Sequence, residues 1–268
     1  MRQGTPTIAA LGRSLAMLEA ILADREGRSV AAIAQAIGLP GATAHRQVTT
    51  LVAERFITRL PGGRLGAGPR LLAMLQMVDD KQVIVAAAAP VLHRLASEVG
   101  SIVQLGTLEN DMVTYRIKTG RGARDLFTRT GLQLEAYCSG IGKVLLAYLP
   151  EAERRAYLAA GPFVELTPQT ITDPAILAAV LEQVRAQGFA TDQGEIAEDL
   201  ECLAVPIRQP DGRVPAAISA SRLTGRGRAS SPQAILSLLR TAAQDIATTA
   251  FGLEQPTTRP LLADKTPC

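Results

Sequence analysis

Three helical segments of period 3.6, a tight glycine turn between the second and third, and a glycine-rich hairpin directly after them constrain this chain more than any other feature. Residues 11–26, LGRSLAMLEAILADRE, put Leu15, Leu18, Ile21 and Leu22 on one helical face. Gly27 ends that run, and Ser29 has the short polar side chain of a helix N-cap. The following helix, VAAIAQAI, turns Ile33 and Ile37 the same way and stops at Gly38, before the turn residues Leu39 and Pro40. A third helix, GATAHRQVTTLVAERF, has the inner stripe Val48, Leu51 and Val52. Ile57–Leu60, the turn Pro61-Gly62-Gly63 and Arg64-Leu65 then read as a hairpin. Helix, tight turn, helix with a polar front, then a wing is the order of winged helix-turn-helix modules, whose second motif helix enters the DNA major groove.

On that reading Thr43, His45, Arg46, Gln47 and Thr50 lie around the start and outer face of the third helix, and Arg59 and Arg64 flank the wing tip. Thr and Gln suit base-edge hydrogen bonds, whereas Arg reads guanine or clamps a phosphate. His45 is either a DNA contact or a half-exposed side chain packed beside the wing. Charge follows the same division. Residues 1–70 hold nine Arg against four acidic side chains, and residues 71–268 hold nineteen Lys and Arg against twenty-one acidic ones. A basic excess confined to one end suits a module that touches phosphates.

The remainder reads as α+β. Gly66-Ala67-Gly68-Pro69 is a break, and residues 69–98 are expected to be a helical linker. Leu71, Leu72, Leu75 and Val78 form an apolar stripe that fits either a second subunit or a seam between domains. SIVQLGTLE and MVTYRIK read as neighbouring strands joined at Asn110-Asp111. Helices follow at 141–149, 151–160 and 173–187, strands at CLAVPI and PAAISAS, and a closing helix at 231–251. The elements after the linker imply one domain, 99–252, around a central antiparallel-rich sheet, with a disordered tail from 253 to 268.

Several chemistries find no residues. Cys138, Cys202 and Cys268 are too scattered for a disulfide framework or a zinc site, and His93 is the one histidine beyond the first seventy residues. No nucleophile elbow or triad is present, so no catalytic residues, metal or cofactor are expected. The start, MRQGTPTIAALGRSL, has no signal-like apolar run, and Val83–Leu92 is too short to span a bilayer. A cytoplasmic protein without membrane contact is expected. The segment Cys138-Ser139-Gly140-Ile141-Gly142-Lys143 leads small polar residues into a helix start. It is either an anion-binding turn or a close helix-to-sheet contact that needs glycines.

Three blocks together resemble the IclR family of transcription regulators over nearly the whole chain. They are Ala42-Thr43-Ala44-His45-Arg46 with Leu51 and the wing run Gly63-Arg64-Leu65-Gly66; Gly142-Lys143-Val144-Leu145-Leu146-Ala147; and Gly188-Phe189-Ala190 with Asp192 and Glu195, followed by Cys202-Leu203-Ala204-Val205-Pro206-Ile207. The resemblance implies a winged helix-turn-helix in residues 1–68, the helical linker, and a GAF-like effector-binding domain. It implies a homodimer or homotetramer on a double-stranded operator, repressing or activating catabolic genes in response to a small organic acid, phenol or other aromatic effector. The alternative is a second domain that only oligomerises. The implied pocket residues are Glu135, Tyr137, Cys138, Ser139, Gly140, Ile141, Asp192, Glu195, Cys202, Ser219 and Ser221. The chain departs from the family at Gln133, at Glu135-Ala136-Tyr137 and at Asp199, where the family has Arg, Pro-Leu-His and Gly. These departures predict an effector less acidic than usual.

Overall fold

A computed structural model describes residues 8–224 and 231–252; the expected tail, 253–268, lies outside the described residues. The chain divides into two compact units, Met1–Asp79 and Asp80–Cys268.

In the first unit α1 (Ala9–Ala23), α2 (Val30–Ala36) and α3 (Gly41–Ala53) pack around Met17, Leu18, Ile21, Ile33, Ala34, Ala44 and Val48. Ser29 caps α2 by accepting the Ala32 amide at 3.2 Å, and Gly38 takes φ 69° at the turn into α3. The wing is β1 (Ile57–Arg59) paired antiparallel with β2 (Leu65–Ala67), Arg59 opposite Leu65. The inner face of α1 differs from the expected one. Leu18 and Ile21 are buried, but Leu15 and Leu22 stay exposed and Met17 takes the inward place. At 100° per residue, Met17, Leu18 and Ile21 form one sector. Ile8, Leu11, Leu15 and Leu22 form a second, and all four are exposed. The apolar surface of α1 is thus wider than a three-helix core can cover. The unit ends in α4 (Pro69–Met77), which buries none of its residues. Its first turn is anchored by the Arg70–Glu54 ion pair and by Arg70 over the Phe56 ring at 4.9 Å.

The second unit is built on an antiparallel six-stranded sheet, in the order β5-β4-β3-β8-β7-β6. The strands are β3 (Ile102–Glu109), β4 (Met112–Thr119), β5 (Gln133–Glu135), β6 (Ala190–Gln193), β7 (Leu200–Ile207) and β8 (Ala216–Leu223). Asn110 and Asp111, with φ 49° and 65°, close the β3–β4 hairpin in the conformation that a two-residue turn requires. Helices α5 (Asp80–Val99) and α9 (Pro232–Phe251) cover one face through Leu92, Leu95, Leu239 and Ile246 against Val103, Leu105, Val205 and Ile218. Helices α6 (Gly140–Ala147), α7 (Glu151–Ala159) and α8 (Pro174–Gln187) belong to a second core on the other face. The expected linker is therefore split: α4 groups with the first unit, whereas α5 supplies one wall of the second unit's core.

Candidate DNA-contacting face and effector cavity

On α3, Thr43, Arg46, Gln47 and Thr50 fall at i, i+3, i+4 and i+7, so one face carries all four. The opposite face holds Ala44 and Val48 in the core. His45, Arg46 and Thr50 are exposed, and Thr43 and Gln47 are half-buried. The Thr50 hydroxyl donates to the Arg46 carbonyl at 3.0 Å, which leaves its oxygen free to accept. Gln47 Oε1 is buried without a hydrogen-bond partner. Arg59 and Arg64 are exposed on the wing. Arg64 lays its stem over Gly27, where a Cβ would stand 3.1 Å from Arg64 Cδ. The wing is thus braced on the α1–α2 turn. Among the described residues Arg46, Arg59 and Arg64 form no ion pair, whereas Asp24 and Glu54 are held by Arg28 and Arg70. Arg46, Arg59 and Arg64 are thus exposed cations available to an external anion.

Between the sheet and the start of α6 the second unit holds a narrow cavity with room for about one water molecule. Ser139, Gly140 and Ile141 line one side, and Asp192, Cys202, Ser219 and Ser221 line the sheet side. Gln104, Tyr115, Phe127, Thr128, Ile196 and Leu200 complete it, and these the sequence reading missed. The Ser139 hydroxyl caps α6 by accepting the Gly142 amide at 3.0 Å. Gly142 is required there, because a Cβ would sit 2.1 Å from the Ala136 carbonyl oxygen. Gly140 likewise runs so close to β7 that a Cβ would stand 2.8 Å from Cys202 Sγ. The close helix-to-sheet contact, one of the two readings of this segment, is present at this turn.

Four expected pocket residues, Glu135, Tyr137, Cys138 and Glu195, do not line the cavity. Glu135 is exposed on the edge strand β5. Tyr137 packs away from the cavity, stacked on Phe163 at 4.7 Å between ring centroids, with its hydroxyl donating to the Val164 carbonyl at 2.7 Å. Residues 136–138 pass along α6, against Gly142, and this route carries the Tyr137 ring to the aromatic cluster. Cys138 is fully buried and donates to the Glu135 carbonyl at 3.8 Å without lining the cavity. Gln133 and Asp199, departures from the family pattern, are also exposed, as the edge of the sheet and the turn before β7 dictate.

Beside the cavity lies a buried ionic cluster. Asp192 is 1% exposed and Lys143 2%. Lys143 Nζ bonds Glu195 Oε1, and the other Glu195 oxygen is buried with no partner. Asp192 accepts the Glu195 amide at 2.8 Å and the Cys202 thiol at 3.7 Å. Burial raises Asp192 to about 6 against the opposing pull of that amide and of Lys143. Burial also raises Glu195. The thiols of Cys202 and Cys138 are pushed up by burial and by neighbouring carboxylates, Cys138 to about 12, so both stay protonated at neutral pH.

Residues 10–61 match the IclR helix-turn-helix domain, and residues 76–248 match the C-terminal domain of bacterial IclR transcriptional regulators. The chain belongs to the IclR family. It is 29% identical to the Pca regulon regulatory protein of Pseudomonas putida, over 90% of this chain and 84% of that one. It is 31% identical to the HTH-type transcriptional regulator XynR of Escherichia coli, over 82% of this chain and 88% of that one. Among solved structures, the Agobacterium tumefaciens repressor BlcR superposes with TM-score 0.66 at 25% identity, covering 91% of this chain and 97% of that one. An IclR homologue from Microbacterium hydrocarbonoxydans complexed with 4-hydroxybenzoate gives TM-score 0.58 at 28% identity, covering 90% and 98%. The antiparallel sheet flanked by helices, behind a helix-turn-helix, is the family fold. Among the described residues no helix is long and apolar enough to cross a membrane.

Proposed function

We propose that this IclR-family member is an effector-responsive transcriptional regulator of catabolic genes. Thr43, Arg46 and Gln47 read the operator, His45 and Thr50 lie beside them, and Arg59 and Arg64 hold the backbone next to the groove. The observation that carries the sensing role is the convergence of Ser139, Gln104, Ser219, Ser221 and Asp192 on one narrow cavity beneath the start of α6. The pocket has room for about one water molecule, far below the ~300 Å³ at which ligand sites start, so an effector can enter only if the pocket widens.

No Lys or Arg lines this cavity among the described residues. Gln133, Glu135 and Asp199 are not its walls, so the effector's chemistry rests on Asp192 and the hydroxyls instead. A carboxyl raised to about 6 alternates between donor and acceptor near neutral pH. A phenol or another hydroxylated aromatic satisfies such a group, and the amides at the start of α6 accept a partial negative charge. The 4-hydroxybenzoate held by the Microbacterium homologue is consistent with this class. Calorimetric titration with matched phenols, benzoates and benzamides tests the assignment. Phenols should bind tightest; preference for acids without a hydroxyl overturns it, and no binding at all favours a domain that only oligomerises.

Binding can act at the operator only if the effector has different affinities for two arrangements of a dimer. The exposed apolar residues Leu72, Leu75 and Met77 on α4 and Val78 just after it, with Leu11 and Leu15 on α1, are surface that a second copy would cover. Leu75→Asp should shift the protein toward monomer in sedimentation velocity and weaken operator binding. An unchanged sedimentation coefficient removes α4 from the interface.

A further inference from the structure

Residues 120–131 join β4 to β5 as a loop without regular structure, and its side chains roof the cavity. Leu126 is buried in a small cluster of its own with Ile102 and Leu200, apart from both main cores. Phe127 lines the cavity while remaining half in solvent. Thr128 is buried and takes a hydrogen bond from Gln104 Nε2 at 2.8 Å; Gln104 in turn accepts from the Ser221 hydroxyl at 3.4 Å. Lys118, opposite Gln104 in the β3–β4 register, donates its ammonium to the Leu126 carbonyl at 2.8 Å and to the Thr128 carbonyl. At the loop's ends Gly120 and Gly131 take φ 112° and 85°, and the Gly131 amide is tied to the Tyr115 carbonyl at 2.8 Å.

We propose that residues 120–131 are the door of the effector cavity and that Lys118 is the positioning residue that holds it shut, with Gln104 as the latch facing the ligand. The inference rests on the sensing role proposed above and adds the route of entry. The loop ends are fixed by backbone bonds and by glycines that tolerate left-handed conformations. The middle is held by one small apolar plug and a few side-chain bonds. Rotation about the two ends lifts Phe127 and Thr128 together and opens the cavity without unpairing a strand. An effector that bonds Gln104 competes with Thr128 for the same amide, so occupancy and door position are coupled. Burial and the nearby Arg129 depress the Lys118 ammonium, which marks it as a charge held under the loop and not one free in solvent.

Cys202 provides a readout that needs no ligand. Its thiol lies on the cavity wall, whereas the Cys138 thiol is buried outside the cavity. In a full-length Cys268→Ser background, methyl methanethiosulfonate labelling is followed at each cysteine by peptide mass spectrometry. Lys118→Met leaves the Leu126 and Thr128 carbonyls without their donor. It should speed Cys202 labelling by about tenfold or more, the effect of losing a charge-assisted hydrogen bond. Cys138 should remain at its original rate, and Lys118→Arg should restore slow labelling. Thr128→Val, which removes only the Gln104 contact, should give a smaller rise. An unchanged Cys202 rate in Lys118→Met overturns the proposal, and so does a parallel rise at Cys138, which would mean general loosening. Failure of every metabolite in calorimetry would remove the effector reading while leaving the labelling result to stand by itself.

Discussion

Asp192→Asn should stabilise the effector domain at neutral pH and remove the pH dependence of its effector affinity. Burial holds the Asp192 carboxyl at about 6, against 3.8 for a solvated aspartate. An acid raised on folding binds more protons in the native than in the unfolded state between those two values. Its contribution to stability is therefore intact below pH 3.8 and is lost as pH rises through 6. A shift of roughly two units at about 1.4 kcal/mol each puts the loss near 3 kcal/mol at pH 7 and above. Asparagine has no charge to desolvate, and its Oδ1 can keep the Glu195 amide that Asp192 accepts at 2.8 Å. The bond from Cys202 is weakened, which returns a fraction of the gain. Urea unfolding of both proteins from pH 4 to pH 8 should give curves that coincide near pH 4 and separate by about 1–3 kcal/mol at pH 8, the variant being the more stable. The difference between the two curves cancels every other titrating group. A difference independent of pH, or an asparagine variant weaker throughout, would show that Lys143 already compensates the carboxylate and would refute the reasoning.

Lys143→Met leaves Glu195 buried without its counter-charge and should cost about 3–5 kcal/mol in chemical unfolding, while Lys143→Met with Glu195→Leu should recover most of that loss. Gly142→Ala pushes a Cβ into the Ala136 backbone and should destabilise by about 3 kcal/mol or more, whereas Gly12→Ala, inside α1 with open space around it, should stabilise by about 0.5–1 kcal/mol; thermal melts read both. Arg46→Ala should cost about 1–3 kcal/mol of operator affinity if the side chain reads guanine; if it clamps a phosphate, the salt slope of binding should fall by about one counter-ion.

The first unit was legible because each of its elements is specified locally. Ser29 caps, Gly38 turns left-handed, and Pro61-Gly62-Gly63 reverses the wing, and none of these needs a distant partner. The inner face of α1 was misread where the sequence offers two apolar sectors, Met17-Leu18-Ile21 and Leu11-Leu15-Leu22, and only tertiary packing chooses between them. The β3–β4 hairpin could be read from Asn110-Asp111 and its flanking apolar runs. The three-residue β5 and four-residue β6 could not, because so short an edge strand has no periodicity of its own. Loop 120–131, GRGARDLFTRTG, carries the composition of a solvated turn, and nothing local reveals that Leu126 and Thr128 are buried. One signal was available: Gln104 stands amid Ile102, Val103 and Leu105, and a polar side chain in so apolar a strand needs a buried partner.

The cavity's polar groups also explain why this domain gives up stability. A core of the same volume filled with Leu and Ile would need no charge, yet here Asp192, Glu195 and Lys143 are all at least nine-tenths buried and one Glu195 oxygen has no partner. The Lys143–Glu195 pair offsets part of the desolvation cost and leaves Asp192 the strained member. Strain of this kind persists where function depends on it. Asp192 accepts bonds from the Cys202 thiol on β7 and the Glu195 amide after β6, so a ligand that bonds its carboxyl disturbs two segments of the sheet edge at once. A carboxyl poised near neutral pH makes that disturbance depend on whether the ligand brings a proton. Effector affinity measured from pH 5 to pH 8 should therefore follow the Asp192 titration in the wild type and become flat in Asp192→Asn. A pH dependence that survives this substitution would move the sensing charge to Glu195.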